Sequence, residues 1–341
     1  MQKFLKSIIL TSLISLILAF FFTLLIFQKT SIYLGKSPDY LLSILFSSDK
    51  NNPYQGKDKI NFIVLGLDKR DDLLEKTSTT DTIMFVSLNI KDQKINTISI
   101  PRDLWFYEIN SKINEIYPLS LTQENQTTFI KDNFQLLIGQ PIDHVVVLTT
   151  DNLIKFVNLI GGVDITLEKG FIDTQYPNPE YINNPNSNIP KYKTIEFKSG
   201  LVHLDSNNIT EFVRSRKSSD TVSGGGTDLA RIQRQQLLIQ ALLNKVKSGQ
   251  FLNNNPNPIN LYNFWDNEII KDISDQNILQ LLTIIGKNLS RLTLNIIEIP
   301  IGTNSKNGII YHPTYFSQKQ WVFIPSDKEY KSFQQFFSES I

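Results

Sequence analysis

The stretch TDTIMFVSLNIKDQKINTISIPRD, residues 80–103, decides the fold. Two short apolar runs, TIMFVSLNI (82–90) and KINTISIP (94–101), flank the turn-like KDQ, and this pattern predicts a β-hairpin. Before it, INFIVLGL (60–67) is apolar between polar neighbours and reads as a buried strand. After it, residues 127–138 have helical periodicity, and HVVVLTT (144–150) reads as a strand. DNLIKFVNLIGG (151–162) has an Asp cap, apolar residues at 3–4 spacing and a glycine stop, so it predicts a helix. VDITL (163–167) is another strand. Strands alternating with helices predict an α/β fold: a mixed central sheet covered by helices.

Further along, 175–190 is rich in Asn, Pro and Ser and is expected to form a loop or lid. Asp205 or Ser206 is expected to cap a short helix in which Ile209, Phe212 and Val213 share one face. Arg214 and Arg216 close it. On an ideal helix two residues diverge by about 200°, so these arginines can converge only if the helix stops near Arg214. A triple glycine follows, then a helical pattern over 227–246. There Asp228, Arg231 and Gln235 fall on one stripe with Arg234 beside them, while Leu229, Ile232, Leu237 and Ala241 can pack inward. The segment 214–236 carries five cationic side chains against two acidic ones in a chain whose net charge is only +1. Guanidinium groups gathered beside flexible backbone suit a phosphate or pyrophosphate.

Composition limits the chemistry. A net charge of +1 and a pI of 7.7 argue against a broad nucleic-acid surface. The absence of cysteine excludes disulfides, thiolate catalysis and Cys-based zinc sites. His144, His203 and His312 lie far apart, without metal-ligand spacing. SGGGTD lacks the spacing and lysine of a P-loop, and no GxSxG elbow is present.

Residues 7–27 hold no charge, and 21 residues span one hydrocarbon core, roughly 30 Å. No cleavage site follows, so the run is expected to be a retained signal anchor in the cell membrane. Lys3 and Lys6 favour a cytoplasmic tail at 1–6, with the catalytic domain extracytoplasmic. The expected organisation continues with a stalk at 28–59, a catalytic domain at 60–249 and a C-terminal subdomain at 250–341. In the last segment FLNNNPNPIN (251–260) reads as a connector, 277–289 as a helix, and 294–300 as a strand. The segment either forms that subdomain or pads the main domain.

Three carboxylates mark strand ends: Asp68 closes VLGLD, Asp81 opens the hairpin, and Asp103 follows Arg102 in SIPRD. Such carboxylates are natural ligands for Mg²⁺ or Mn²⁺, which also bind substrate phosphates.

The ordered set LGLD, TDTIMFVSL, INTISIPRD, KINEIY, IGGVDI, VRSR and D-x-x-R-x-x-R-Q-Q closely resembles the LytR–CpsA–Psr family of membrane-anchored cell-wall glycopolymer ligases. The resemblance runs from Lys59 to Lys247. It implies an α/β domain that buries a polyprenyl chain between sheet and helices, with the head group at an arginine-lined mouth. It gives Asp68 and Asp81 the metal-binding role and makes Arg102 a pyrophosphate ligand, with Asp103 its neighbour. Lys112, in KINEIY, falls where the family has a site lysine. Arg214, Arg216, Asp228, Arg231, Arg234 and Gln235 match the motif that holds the head group. Gly161 and Gly162 match a structural turn.

The chain departs from the family pattern in four places. Thr79 stands where an arginine is common, Leu104 where threonine follows SIPRD, and Ser206 where LDG has glycine. PLSLTQENQ (118–126) replaces a double glycine. The implied reaction is metal-assisted phosphoryl transfer: a peptidoglycan hydroxyl attacks the sugar-linked phosphorus of a polyprenyl-pyrophosphate glycopolymer. A general base would come from the carboxylates of the cluster. The same arginines would also serve a non-catalytic polyprenyl-phosphate receptor, a membrane regulator of envelope synthesis, or a pyrophosphatase using water.

Overall fold

Side-chain alternation in the first strand sets the layers. In the computed structural model the described residues are 53–67, 79–184, 188–217, 228–250, 258–286, 289–316 and 320–341, without the side chains of 183, 228, 229, 258, 259 and 279. The chain divides into two compact units, residues 1–55 with 274–280 and residues 56–273 with 281–341, and the elements below belong to the second. Among the described residues no helix is long and apolar enough to cross a membrane; the expected anchor at 7–27 lies outside them.

The strands β1 (Lys59–Leu67), β2 (Thr80–Asn89) and β3 (Lys94–Ser99) run antiparallel, and the expected hairpin pairs Asn89 with Lys94 and Met84 with Ser99. A short ribbon follows, β4 (Trp105–Phe106) on β5 (Ser111–Lys112). Helix α1 (Gln126–Ile138) leads to β6 (His144–Thr149), which lies parallel to β1. Helix α2 (Thr150–Leu159) begins with a reciprocal cap. Thr149 Oγ1 accepts from Asn152 N at 3.1 Å, and Asn152 Oδ1 accepts from Thr149 N at 2.7 Å. The cap is therefore Thr149 and not Asp151, which sits in the first turn, where its charge still complements the helix dipole.

The strand at 163–167, β7 (Val163–Leu167), does not join the central sheet. It pairs with β10 (Gly200–Leu204), while β8 (Phe171–Pro177) pairs with β9 (Tyr192–Phe197). The expected lid at 175–190 is more regular than its composition suggested. Its start extends β8, and Asn178 caps a helical turn at Pro179–Asn183, where proline suits the first position. Helix α3 (Ile209–Arg214) has Asn208 at its N-cap position, whereas the Asp205 carboxylate accepts from Asn207 N. Helix α4 (Asp228–Lys247) comes next, then α5 (Pro258–Glu268), which starts inside the expected connector.

Two strands beyond residue 250 join the central sheet. Strands β11 (Ile270–Lys271) and β12 (Thr293–Ile297) form the two edges of one six-stranded sheet, ordered β11-β6-β1-β2-β3-β12. Without them β6 and β3 would present open backbone groups, which sheets avoid by pairing or covering their edges. The final helix α6 (Lys331–Ser340) buries Phe333 and Phe337 completely, in one cluster with Ile63, Leu65, Phe85 and Phe134. A second cluster joins α2, α3, α4 and the four strands β7–β10.

Strand period then assigns the other sheet face. Ile63, Leu65 and Leu67 enter the first cluster, so Phe62, Val64 and Gly66 point the opposite way. They are in register with Val86, Met84 and Thr82 of β2 and with His144, Val146 and Leu148 of β6. Phe62, Val64, Val86, Val146 and Leu148 are only half-buried. An apolar face thus runs towards the end of β1 and stops at Thr82, next to Asp81.

Candidate anion site at the end of the central sheet

Asp81, the second residue of β2, is the centre of the charged groups. One carboxylate oxygen accepts from Arg102, and the other accepts from Arg216 Nη2 at 2.6 Å. Arg231 Nη1 lies 3.7 Å from that second oxygen, and Arg231 Nη2 donates to the Asp81 carbonyl at 3.0 Å. The array continues outward: Arg102 Nε is 3.4 Å from Asp103, whose other oxygen accepts from Lys112 Nζ at 2.6 Å. Four cationic side chains therefore face two carboxylates, and the excess positive charge suits an anion.

Separate elements deliver these groups. Arg102 follows β3, Lys112 ends β5, and Arg216 lies just past α3. Helix α3 stops at Arg214, and Ser215 is extended at φ −56°, ψ 132°, the break that the arginine spacing requires. On α4, Arg231, Arg234 and Leu238 share the inward face and are buried, while Leu237 is exposed. The expected inward role of Leu237 is thus taken by Leu238. The helix is rotated so that its arginines, and not that leucine, face the protein.

Burial raises the Asp81 pKa. The charges of Arg216, Arg102 and Arg231, with the Arg102 hydrogen bond, outweigh burial and hold the carboxyl below the ordinary value. An ionised carboxylate here is a hard oxygen donor. Mg²⁺ typically uses one or two carboxylates plus substrate phosphates, so this donor chemistry fits such an ion. Among the described residues no group of three or more His, Asp and Glu side chains gathers for a metal. Asp68, the expected second ligand, lies outside the described residues.

A model of the LytR_cpsA_psr family matches residues 41–322. The chain belongs to the LytR–CpsA–Psr family. It is 25% identical over 290 residues to an Oceanobacillus iheyensis protein named polyisoprenyl-teichoic acid–peptidoglycan teichoic acid transferase TagU, covering 82% of this chain and 75% of that one. A Bacillus subtilis (strain 168) protein of the same name is 24% identical over 201 residues, and the match covers 58% of this chain and 55% of that protein. Among solved structures, TagT bound to LI-WTA superposes with a TM-score of 0.55 at 17% identity, covering 84% of this chain and 91% of that one. The LytR-CPS2A-psr family protein YwtF (TagT) with bound octaprenyl pyrophosphate lipid gives 0.52 at 16%, with the same coverage. These structures share the fold.

Within this LytR–CpsA–Psr chain the remaining motif positions occupy distinct places. Gln235 bridges α4 to the sheet, its Oε1 accepting from Thr82 Oγ1 and its Nε2 donating to Val213 O, each at 3.3 Å. Thr82, Arg102, Arg231 and Gln235 line a narrow cleft beside Asp81. Arg234 is 2% exposed. Its Nε donates to Phe212 O at 3.1 Å, its Nη2 donates to Ser215 O, and its guanidinium lies 4.5 Å from the Phe171 ring centroid. It braces the end of α3. Arg214 is half-buried at that helix end. The Asp228 side chain and the triple-glycine loop lie outside the described atoms. Gly162 has φ +73°, and a Cβ there would strike the His203 ring and approach Leu204 O at 2.9 Å. Lys245 Nζ donates to Gly161 O at 3.3 Å and also to Gly162 O.

Sequence reasoning passed over two residues next to these groups, Asp173 and Ser215. A signal was present: in FIDTQ an acid occupies the same strand face as the buried Phe171.

Proposed function

We propose that this chain is a membrane-anchored ligase that transfers a glycopolymer from a polyprenyl-pyrophosphate carrier to peptidoglycan on the outer side of the cell membrane. The convergence of Arg102, Arg216 and Arg231 on Asp81 carries this reading. The names of its relatives and the octaprenyl pyrophosphate lipid bound by one structural neighbour support the substrate class.

In this reading the pyrophosphate meets Arg102, Arg216 and Arg231, and Lys112 extends the positive array through Asp103. The polyprenyl chain lies along the half-buried face of Phe62, Val64, Val86, Val146 and Leu148. The four steps along β1 from Phe62 to Gly66 cover about 13 Å towards the charged end, a path from lipid to head group. An acceptor hydroxyl forms a bond to the sugar-linked phosphorus as the bond from that phosphorus to the bridging oxygen breaks. Polyprenyl monophosphate leaves, and the hydroxyl proton passes to a carboxylate of the cluster or to solvent. The arginines spread the developing charge, which is the main demand of phosphoryl transfer. The depressed pKa of Asp81 suits an anchor for guanidinium groups better than a base. Asp81 and Asp68 would hold the Mg²⁺ or Mn²⁺ ion, which when bound supplies a Lewis acid for phosphoryl oxygens.

The test uses the full chain in detergent with a short polyprenyl-pyrophosphate-linked saccharide and peptidoglycan. Arg102→Ala is expected to lower transfer by about 10²–10³, the usual consequence of losing one preorganised charge donor, and Asp81→Ala, which removes the carboxylate that gathers three guanidinium groups, is expected to lower it as well. Release of polyprenyl phosphate that needs no peptidoglycan would instead indicate hydrolysis, and binding without release a receptor. Full transfer by Asp81→Ala would overturn the assignment of that residue.

A further inference from the structure

We propose that Asp173 is a positioning residue for Arg216. It rests on the reading of Arg216 as a phosphate ligand, and Asp173 lies outside the family motifs.

Asp173 lies on β8 and is 1% exposed. Its Oδ2 accepts from Ser215 Oγ at 2.7 Å and from Lys217 N at 3.1 Å, and its Oδ1 accepts from Gln175 N at 2.9 Å. The two bonds to Oδ2 come from the residues on either side of Arg216. One carboxylate oxygen thus pins the chain before and after the arginine.

Extended backbone turns this pinning into direction. Ser215 has extended dihedrals, and in an extended segment successive side chains point to opposite sides. With Ser215 Oγ drawn down onto Asp173, the Arg216 side chain is directed away from β8. It reaches Asp81, where Nη2 donates at 2.6 Å. A second brace acts on the same segment: Arg234 donates to Phe212 O and Ser215 O while stacked on Phe171. Phe171 and Asp173 are two residues apart on the buried face of β8. That face is a platform on which the end of α3 is set.

A carboxylate suits this position better than an amide. It offers only acceptors, and all three partners here are donors. Asp173→Asn keeps the shape but turns one oxygen into a donor that must face an N–H or O–H group. Ser215→Ala removes one bond and leaves the Lys217 contact.

The experiment uses the full chain in detergent in five forms: wild type, Asp173→Asn, Arg216→Ala, the double variant of these two, and Ser215→Ala as a milder probe. Amide exchange over 212–217 reads the clamp without any ligand. Inorganic pyrophosphate binding by calorimetry reads its consequence. Asp173→Asn is expected to speed exchange over 212–217 and weaken pyrophosphate binding about tenfold, the scale of one charge-assisted hydrogen bond. In the Arg216→Ala background it is expected to weaken binding no further, because it acts through that arginine. Ser215→Ala should move both readouts the same way by less, which keeps the test open if Asp173→Asn does not fold. Unchanged exchange overturns the proposal. So does a binding loss that adds in full to that of Arg216→Ala, since Asp173 would then act by a route other than Arg216. If wild type binds no pyrophosphate, the ligand reading fails, and exchange over 212–217 decides the clamp by itself.

Discussion

Asp81→Asn removes one negative charge where three guanidinium groups meet and keeps the side chain's shape. The cost differs among the three. Arg231 is 3% exposed, so it has little water to replace the lost carboxylate. Breaking a buried pair by removing one partner costs about 3–5 kcal/mol, and the lower end applies because Arg231 also holds the Asp81 main-chain carbonyl, which asparagine keeps. Arg102 and Arg216 have 23% and 37% of their side-chain surface exposed. Solvent screens them, and each adds at most about 1 kcal/mol. The sum, roughly 3–5 kcal/mol, corresponds to a melting temperature lower by about 5–8 °C for a unit of this size.

The assay is thermal unfolding of the full chain in detergent at neutral pH, with and without inorganic pyrophosphate. Pyrophosphate should raise the melting temperature of Asp81→Asn more than that of wild type, because it returns negative charge to the same cations. The effect also has a defined pH sense. Burial raises the Asp81 pKa, but Arg216, Arg102 and Arg231 bring the net shift below the value of 3.8 that applies to the unfolded chain. The stabilisation is therefore fully present above that value and is lost as pH falls through the lower folded-state pKa. The gap between wild type and variant should close over that acidic range. Equal melting at neutral pH, with equal response to pyrophosphate, would refute the view that Asp81 sustains the arginines.

Two further outcomes are expected. Phe337→Ala should lower stability by about 3–5 kcal/mol in urea titration, since Phe337 is fully buried in the main core; a loss near zero would return the C-terminal segment to a peripheral role. Arg234→Lys keeps the charge but loses the guanidinium fork that serves Phe212 O and Ser215 O, so it should cost about 1–3 kcal/mol of stability and speed amide exchange over 212–217.

Local order was legible wherever a short segment carries its own signal. The hairpin of β2 and β3 follows from two apolar runs around KDQ, and the end of α3 follows from the angle between Arg214 and Arg216. Caps were harder to read. Asp151 looked suitable, but Thr149 with Asn152 took that role; at α3, where Asp205 or Ser206 was expected, Asn208 holds the N-cap position without a side-chain cap bond, because several polar residues compete within one turn. The inward face of α4 was misjudged at Leu237 because buried arginines there replace the apolar stripe that periodicity seeks. Residues after 250 showed no chemistry of their own, so nothing local indicated that β11 and β12 close the sheet.

By itself, the sequence determined the α/β class, the order of the first strands and the set of charged residues in the motifs, because these depend on hydrophobic period and residue type over a few positions. Only the tertiary structure decided how those charges are shared. It drew Arg102, Arg216 and Arg231 from three distant segments onto Asp81, turned Arg234 to the end of α3, and placed Asp173 beneath Ser215. Each arrangement is a contact between residues tens of positions apart or more. Such contacts are fixed by the packing of whole strands and helices, which no local pattern encodes.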